Sequence, residues 1–202
     1  MEEVEQQVLD LEEEQQIEDP RDDDQPIPFR YSISSYGADY DVDGLVRRLK
    51  RGDVVVPDFQ RQYVWTLTRA SRFIESLLLG LPVPGIFLAV DPDTQQLLVI
   101  DGQQRLRSLE YFYEGIFRNE REFTLKGVQP EFEGKTYETL SPEDRRRLDN
   151  SIIHATVIKQ EDPKEEDSSS IYYIFERLNT GGMSLQPQEI RASIFQGLFY
   201  RL

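Results

Sequence analysis

The sequence predicts an α+β fold, a small mixed β-sheet with flanking helices. Short apolar, β-rich runs alternate irregularly with stretches of helical periodicity, unlike the strict alternation of a doubly wound sheet. Two of those runs are separated only by DPDTQ, close enough to form an antiparallel hairpin. No internal repeat is visible, which excludes a solenoid. At 202 residues the chain is long enough for one ordinary domain with a sizeable core.

The elements follow in order. Residues 1–26 form an acidic extension; Val4, Val8 and Leu11 have helical spacing, but like charges repel, and a solvated, largely disordered tail is the preferred reading. The DGQQR-bearing domain then occupies 27–202. Phe29–Ser34 alternates apolar and polar residues and predicts a strand. Val42, Leu45, Val46 and Leu49 predict a helix over 41–51, stopped by Gly52. VVVPDFQRQYVW reads as a loop. Phe73, Ile74, Leu77 and Leu78 line a helix over 67–79, ended by Gly80 and the Pro82/Pro84 pair.

Gly85–Val90 and Gln96–Ile100 predict the two strands of the hairpin. The second runs into DGQQR and then a helix over 103–114, with Leu106, Leu109, Tyr113 and Phe112 assigned to its buried side. Residues 121–140 read as short strands and turns. Ser141, Pro142 and Glu143 start a helix with proline in its first turn. Ile152–Lys159 predicts a further strand. EDPKEEDSSS is a polar loop, followed by a helix carrying Ile171, Ile174, Phe175 and Leu178 and closed by NTGG, and a last helix starts near Gln186.

Composition removes several chemistries. The chain has no cysteine, which excludes disulfides, thiolate nucleophiles and Cys-based metal sites, and its one histidine, His154, excludes His-pair sites. His154 itself reads as structural. The net charge of -15 is mostly a property of the tail, where residues 1–25 hold 12 acidic side chains and one basic one. The remainder carries a net of only -4, compatible with a polyanionic ligand near local arginines. No run approaches the roughly 18 uncharged apolar residues of a membrane span. The start lacks the basic and apolar regions of a signal peptide, so a cytoplasmic location is expected.

Three segments carry candidate chemistry. In Val99-Ile100-Asp101-Gly102-Gln103-Gln104-Arg105 an apolar strand turns at glycine directly into a helix. The N–H groups and partial positive charge at a helix N-terminus suit a phosphate, and Arg105 would add charge-assisted hydrogen bonds. The same residues also fit a plain capped turn, with Asp101 as N-cap. Pro57 to Trp65 places Gln60, Arg61 and Gln62 in an aromatic loop, where Gln60 and Arg61 would contact a phosphate or base edge and Trp65 reads as core packing. Asn179, Thr180, Gly181 and Gly182 suit an anion nest, although a helix C-cap explains the glycines equally well. Arg145, Arg146 and Arg147 read as a solvated helix face. No GxxxxGK[ST] phosphate loop is present.

Taken together and in this order, PDFQRQYVW, VIDGQQRLRSL and FERLNTGGMSLQPQEIR resemble the N-terminal family of GmrSD-type restriction endonucleases, over about residues 35–200. That family is similar in fold to ParB N-terminal and sulfiredoxin-like domains. The resemblance implies binding and Mg2+-dependent hydrolysis of a nucleoside triphosphate, coupled to sensing modified foreign DNA, with a His-Asn-His nuclease domain or subunit doing the cutting. It implies phosphate contacts from Gln60, Arg61, Gly102, Gln103, Gln104, Asn179, Thr180, Gly181 and Gly182. Asp101 and Arg105 would be catalytic, with Asp101, or Glu189, holding the metal or orienting water. With one histidine the chain cannot contain that nuclease, so a fragment or a stand-alone sensor is expected, and self-association is left open. Sulfiredoxin chemistry, which needs a cysteine, is excluded. The alternatives are a ParB-like switch that binds nucleotide or DNA without turnover, and a regulatory protein whose acidic tail covers a basic groove.

Overall fold

The computed structural model describes residues 33–57, 60, 62–118 and 121–160. The expectations for the acidic tail, for Arg61, for the helices after residue 170 and for Asn179, Thr180, Gly181, Gly182 and Glu189 lie outside the described residues.

The architecture is α+β, as the sequence predicts. Strand β1 is Ile33–Asp41, followed by helix α1 (Val42–Arg51), β2 (Val54–Val55) and α2 (Leu67–Leu78). Then come β3 (Ile86–Val90), β4 (Leu97–Asp101), α3 (Gln103–Glu114), β5 (Ile116–Phe117) and β6 (Arg121–Glu122). Helix α4 (Pro142–Asp149) and β7 (Ile152–Gln160) complete the described part. Five strands form one sheet in the order β1-β7-β3-β4-β2, and β5 and β6 pair separately. The sheet is mixed: β1–β7 and β3–β4 are antiparallel, whereas β3–β7 and β2–β4 are parallel.

Two expectations need correction. The first strand runs Ile33–Asp41, well past the predicted end at Ser34. Its SSYGADYD stretch is poor in β-branched residues, so periodicity does not mark it; nine-residue pairing with β7 imposes the extended form. Asp41 ends that strand and also caps α1, its carboxylate accepting from Gly44 N at 2.7 Å. The second correction is Val54–Val55, assigned to a loop but paired with Leu97 and Leu98 of β4. Two residues are too short for any periodic signal.

The predicted hairpin forms: β3 starts one residue later than predicted and β4 is shifted by one, so Asp101 is the last residue of that strand. The turn is held by Asp91, whose Oδ1 accepts from the amides of Asp93 (2.9 Å) and Thr94 (3.1 Å).

All four described helices contribute to a core on one face of the sheet. Leu45, Ile74, Leu77, Leu106, Leu109, Phe112 and Leu148 meet Ile86, Leu88, Val99, Ile153 and Val157 from the strands. Inward alternation along β3, β4 and β7 places those strand residues on the same side. A smaller cluster of Phe87, Ala89 and Ile100 occupies the opposite face, and no described helix contributes to it. Tyr113, expected inward, is half-buried; its hydroxyl donates to Asp149 Oδ1 at 2.6 Å, and its ring stacks on Tyr137 at 4.1 Å. His154 is exposed and meets Asp39 across the β1–β7 pair, 2.5 Å from Nδ1 to Oδ1. Arg146 and Arg147 are exposed, but Arg145, expected on the same solvated face, is half-buried: it lies over the Tyr137 ring and donates to Glu138 O.

Candidate anion site at the turn into α3

The register of β3 against β4 brings Gly85, Asp101 and Gly102 to one end of the sheet. Gly102 is the N-cap of α3, with φ +104°. A Cβ there would lie 2.4 Å from Ile86 Cγ2 and 2.9 Å from Ile86 Cβ, so both the backbone angle and the packing require glycine. Gly85 is pressed as closely against β7: an added Cβ would sit 2.8 Å from the carbonyl oxygen of His154.

The plain N-cap reading of Asp101 does not hold. Asp101 precedes the cap, and no side chain caps α3. The other three described helices begin with a side-chain cap from Asp41, Thr66 or Ser141. The first turn of α3 also lacks any acidic residue. Its first helical bond is Leu106 N to Gly102 O at 3.0 Å, so the amides of Gln104 and Arg105 precede that ladder.

Arg105 folds back from this first turn. One terminal nitrogen donates to both Gly85 O (2.9 Å) and Asp101 Oδ2 (2.9 Å). The side chain is 14% exposed, and its Nε–H is buried without a hydrogen-bond partner among the described residues. A cation near a helix N-terminus opposes the helix dipole, and a buried guanidinium donor without an acceptor is costly. Both penalties are relieved by an anion. The residues present therefore fit a phosphate group.

The aromatic loop approaches the same turn. Strand β2 ends opposite Leu98, and the Gln60 amide takes up the carbonyl of the next β4 residue, Val99, with the Ile100 carbonyl 3.4 Å away. Gln104 reaches in the opposite sense. Its Oε1 accepts from the amides of Val64 (2.9 Å) and Trp65 (3.1 Å), and its Nε2 donates to Gln62 O at 3.4 Å. Structure thus joins the first two sequence motifs, but through amide-to-backbone bonds. Gln103 stands at the first position of α3.

Two participants escaped sequence reasoning. Gly85 supplies a carbonyl to Arg105, and Ser108, fully buried, donates to Gln104 O at 2.7 Å and lies 2.8 Å from the Tyr63 hydroxyl. The i+4 step from Gln104 to Ser108 was the available signal, since a helical hydroxyl often bonds back one turn. Trp65 packs against the core, edge-on to Phe73, with Arg69 4.7 Å above its ring. Among the described residues no group of three or more His, Cys, Asp or Glu side chains is placed to hold a metal.

Burial pushes the Tyr63 phenol up to about 12, and its bond to Ser108 only partly opposes the shift. The unfolded phenol titrates near 10, so this group's contribution to stability is complete below about pH 10 and is lost as pH rises toward 12. Urea midpoints compared at pH 9 and 11.5 should fall less in Tyr63→Phe than in wild type.

A mixed five-stranded sheet with its described helices on one face, and a strand–glycine–helix turn carrying a part-buried arginine, define an α+β domain. The chain belongs to the family described as the GmrSD restriction endonuclease N-terminal domain, whose model matches residues 42–196. That span contains all three motif segments. An uncharacterized protein of Methanocaldococcus jannaschii is 34% identical over 91 residues, covering 33% of this chain and 16% of that protein. The chain therefore spans about a sixth of the length of this curated relative. The crystal structure of C-terminally truncated ParB from Caulobacter crescentus, complexed with CTP-γ-S, is similar with a TM-score of 0.35 and 12% identity. That likeness covers 83% of this chain and 66% of the ParB chain. No described helix is long and apolar enough to cross a membrane.

Proposed function

We propose that this domain binds a nucleoside triphosphate at the turn into α3 and hydrolyses it, as the sensor part of a modification-dependent restriction system. The observation that carries the reading is Arg105, held in the first turn of a helix without a side-chain cap and keeping a buried Nε–H that has no partner among the described residues. Family membership supplies the biological setting. In this reading Arg105, Arg61 and the backbone from Gly102 to Gln104 hold the phosphates, with Gln103 at the first helical position. Asn179, Thr180, Gly181 and Gly182 add a third set of contacts. Asp101 meets a magnesium ion brought with the nucleotide, or orients water. Phosphoryl transfer needs mainly such positioning and charge stabilisation. Modified foreign DNA, sensed directly or through a partner, and a nuclease domain or subunit complete the system.

A second reading, a switch that binds without turnover, is favoured by one feature: Asp101 is already committed to Arg105 through Oδ2. Calorimetric titration of the four common nucleoside triphosphates with magnesium, paired with a phosphate-release assay, separates the two. Hydrolysis predicts that Asp101→Asn retains binding within a few-fold and loses release by at least about 100-fold, a barrier increase of about 2.7 kcal/mol. Binding without release in the wild type makes the domain a switch. No binding returns the turn to a structural role.

A further inference from the structure

We propose that Arg69, Arg118 and Arg121 form a contact surface for the phosphate backbone of double-stranded DNA, set around an aromatic cluster between α2 and β5. The proposal rests on the DNA-sensing part of the reading above and deepens it, by giving that contact to this domain and to named residues.

Charge pairing singles these residues out. Arg47, Arg51, Arg105, Arg107 and Arg147 each lie in an ion pair, and Arg72 and Arg145 donate to backbone carbonyls. Arg69, Arg118 and Arg121 are exposed, and their guanidinium groups make no hydrogen bond or ion pair among the described residues. Glu75, the acidic residue of α2, is engaged elsewhere and accepts from Gln129 N at 2.6 Å. Glu122 follows Arg121 in β6, and successive strand residues point to opposite faces.

Packing gathers the three. Arg69 lies 4.7 Å above the Trp65 ring, and Arg121 lies 5.5 Å above Phe117, its cross-strand partner. Arg118 directly follows Phe117 at the end of β5. Phe117 is edge-on to Tyr63 at 5.8 Å, and Tyr63 is two residues from Trp65, so one aromatic cluster carries all three cations. The charges of Arg118 and Arg69 both act to lower the pKa of the Tyr63 phenol, as cations near one ring must. Arg118 also holds φ at +55°, an angle that glycine would adopt at less cost.

Chemistry then selects the partner. A guanidinium resting on an aromatic ring is braced by cation–π attraction while its N–H groups stay free to bond. Arg69 and Arg121 rest on different rings and present separate cations, so a line of phosphates meets both where a small anion meets one. All three are arginines, whose planar fork matches two phosphate oxygens at once. The net charge of -15 gives no general attraction to DNA, so binding depends on these local contacts.

The test is fluorescence anisotropy of a labelled duplex of about 20 base pairs, titrated with the full chain at about 50–200 mM salt. Backbone contacts are blind to base modification, so an unmodified duplex serves. Three phosphate contacts predict a slope of about -2.7 in log affinity against log salt, at about -0.9 per contact. Arg69→Gln, Arg118→Gln and Arg121→Gln should each make that slope shallower by about 0.9 and weaken binding by about tenfold. Their urea midpoints should stay near wild type, because the side chains are exposed. Trp65 is the single tryptophan and lies under Arg69, so duplex should change its emission in wild type and not in Arg69→Gln. A wild type that binds no duplex overturns the proposal, as does an unchanged slope in all three variants. Polyglutamate competing as well as unlabelled duplex also overturns it, and assigns the surface to an acidic protein. Calorimetry with magnesium nucleoside triphosphates keeps the two readings apart. Duplex binding without nucleotide binding upholds this surface and removes the nucleotide reading; the reverse removes the surface alone.

Discussion

Gly102→Ala is expected to destabilise the domain by about 2–5 kcal/mol. Holding a residue with a Cβ in a left-handed conformation costs about 1–2 kcal/mol, and overpacking a filled site adds about 1–3. Both apply here, because φ is +104° and the new methyl group would lie 2.4 Å from Ile86 Cγ2. Ile86 cannot simply turn aside: it is 1% exposed and belongs to the main core. A loss of this size is a large share of the roughly 5–15 kcal/mol by which such domains are stable. The natural control is Gly37 in β1, where an added Cβ meets nothing within 4 Å. Urea denaturation of both variants decides the matter. A Gly102→Ala midpoint within about 0.5 kcal/mol of Gly37→Ala would mean that the turn relaxes freely, and the rigidity attributed to it would be lost.

Arg105→Ala is expected to abolish nucleotide binding at accessible concentrations, a loss of at least about 100-fold. Hydrogen bonds to a charged group contribute about 1.5–3 kcal/mol each, so losing two of them from a phosphate accounts for that factor. The substitution also removes the donor to Gly85 O and Asp101, at a cost to folding of about 1–2 kcal/mol. The two effects separate in one preparation, by titrating the ligand and then measuring urea stability. Arg105→Lys sharpens the comparison. It keeps the positive charge but loses the planar fork that serves Gly85, Asp101 and the ligand together. Affinity retained in Arg105→Ala alongside a stability loss would make Arg105 a strut between β3 and β4, and the anion site would have to be sought elsewhere.

The segment from Val99 to Arg105 illustrates how far sequence alone reaches. Its apolar strand, its glycine and its helix are legible, because alternation, a residue tolerant of positive φ and helical spacing each leave a local trace. The role of Asp101 was not legible. A carboxylate just before a helix looks like an N-cap, and only the one-residue extension of β4 moves the cap to Gly102 and frees Asp101 for Arg105. Gln60 and Gln104 were recognised as a pair of motifs brought to one place. Their use as backbone clamps depends on β2 stopping at Val55, which no periodicity records. Gly85 and Ser108 were missed because their contributions, a carbonyl and a buried hydroxyl, take meaning only from what packs beside them.

By itself the sequence determined the α+β class, the four described helices, the hairpin of β3 and β4, the exclusion of thiol and two-histidine chemistry, and membership in a family defined by three ordered motifs. Each follows from local pattern, composition or motif order. Tertiary structure alone decided the strand order, the extension of β1 through Asp41, the burial of Arg105 and the two amides, of Gln60 and Gln104, that tie the aromatic loop to the turn between β4 and α3. Several of those features depend on partners far apart in the chain, such as Gln60 and Val99, 39 residues apart, and Asp39 and His154, 115 residues apart. Hydrogen bonds at such separations are satisfied only when the whole sheet is assembled, and no local propensity encodes them.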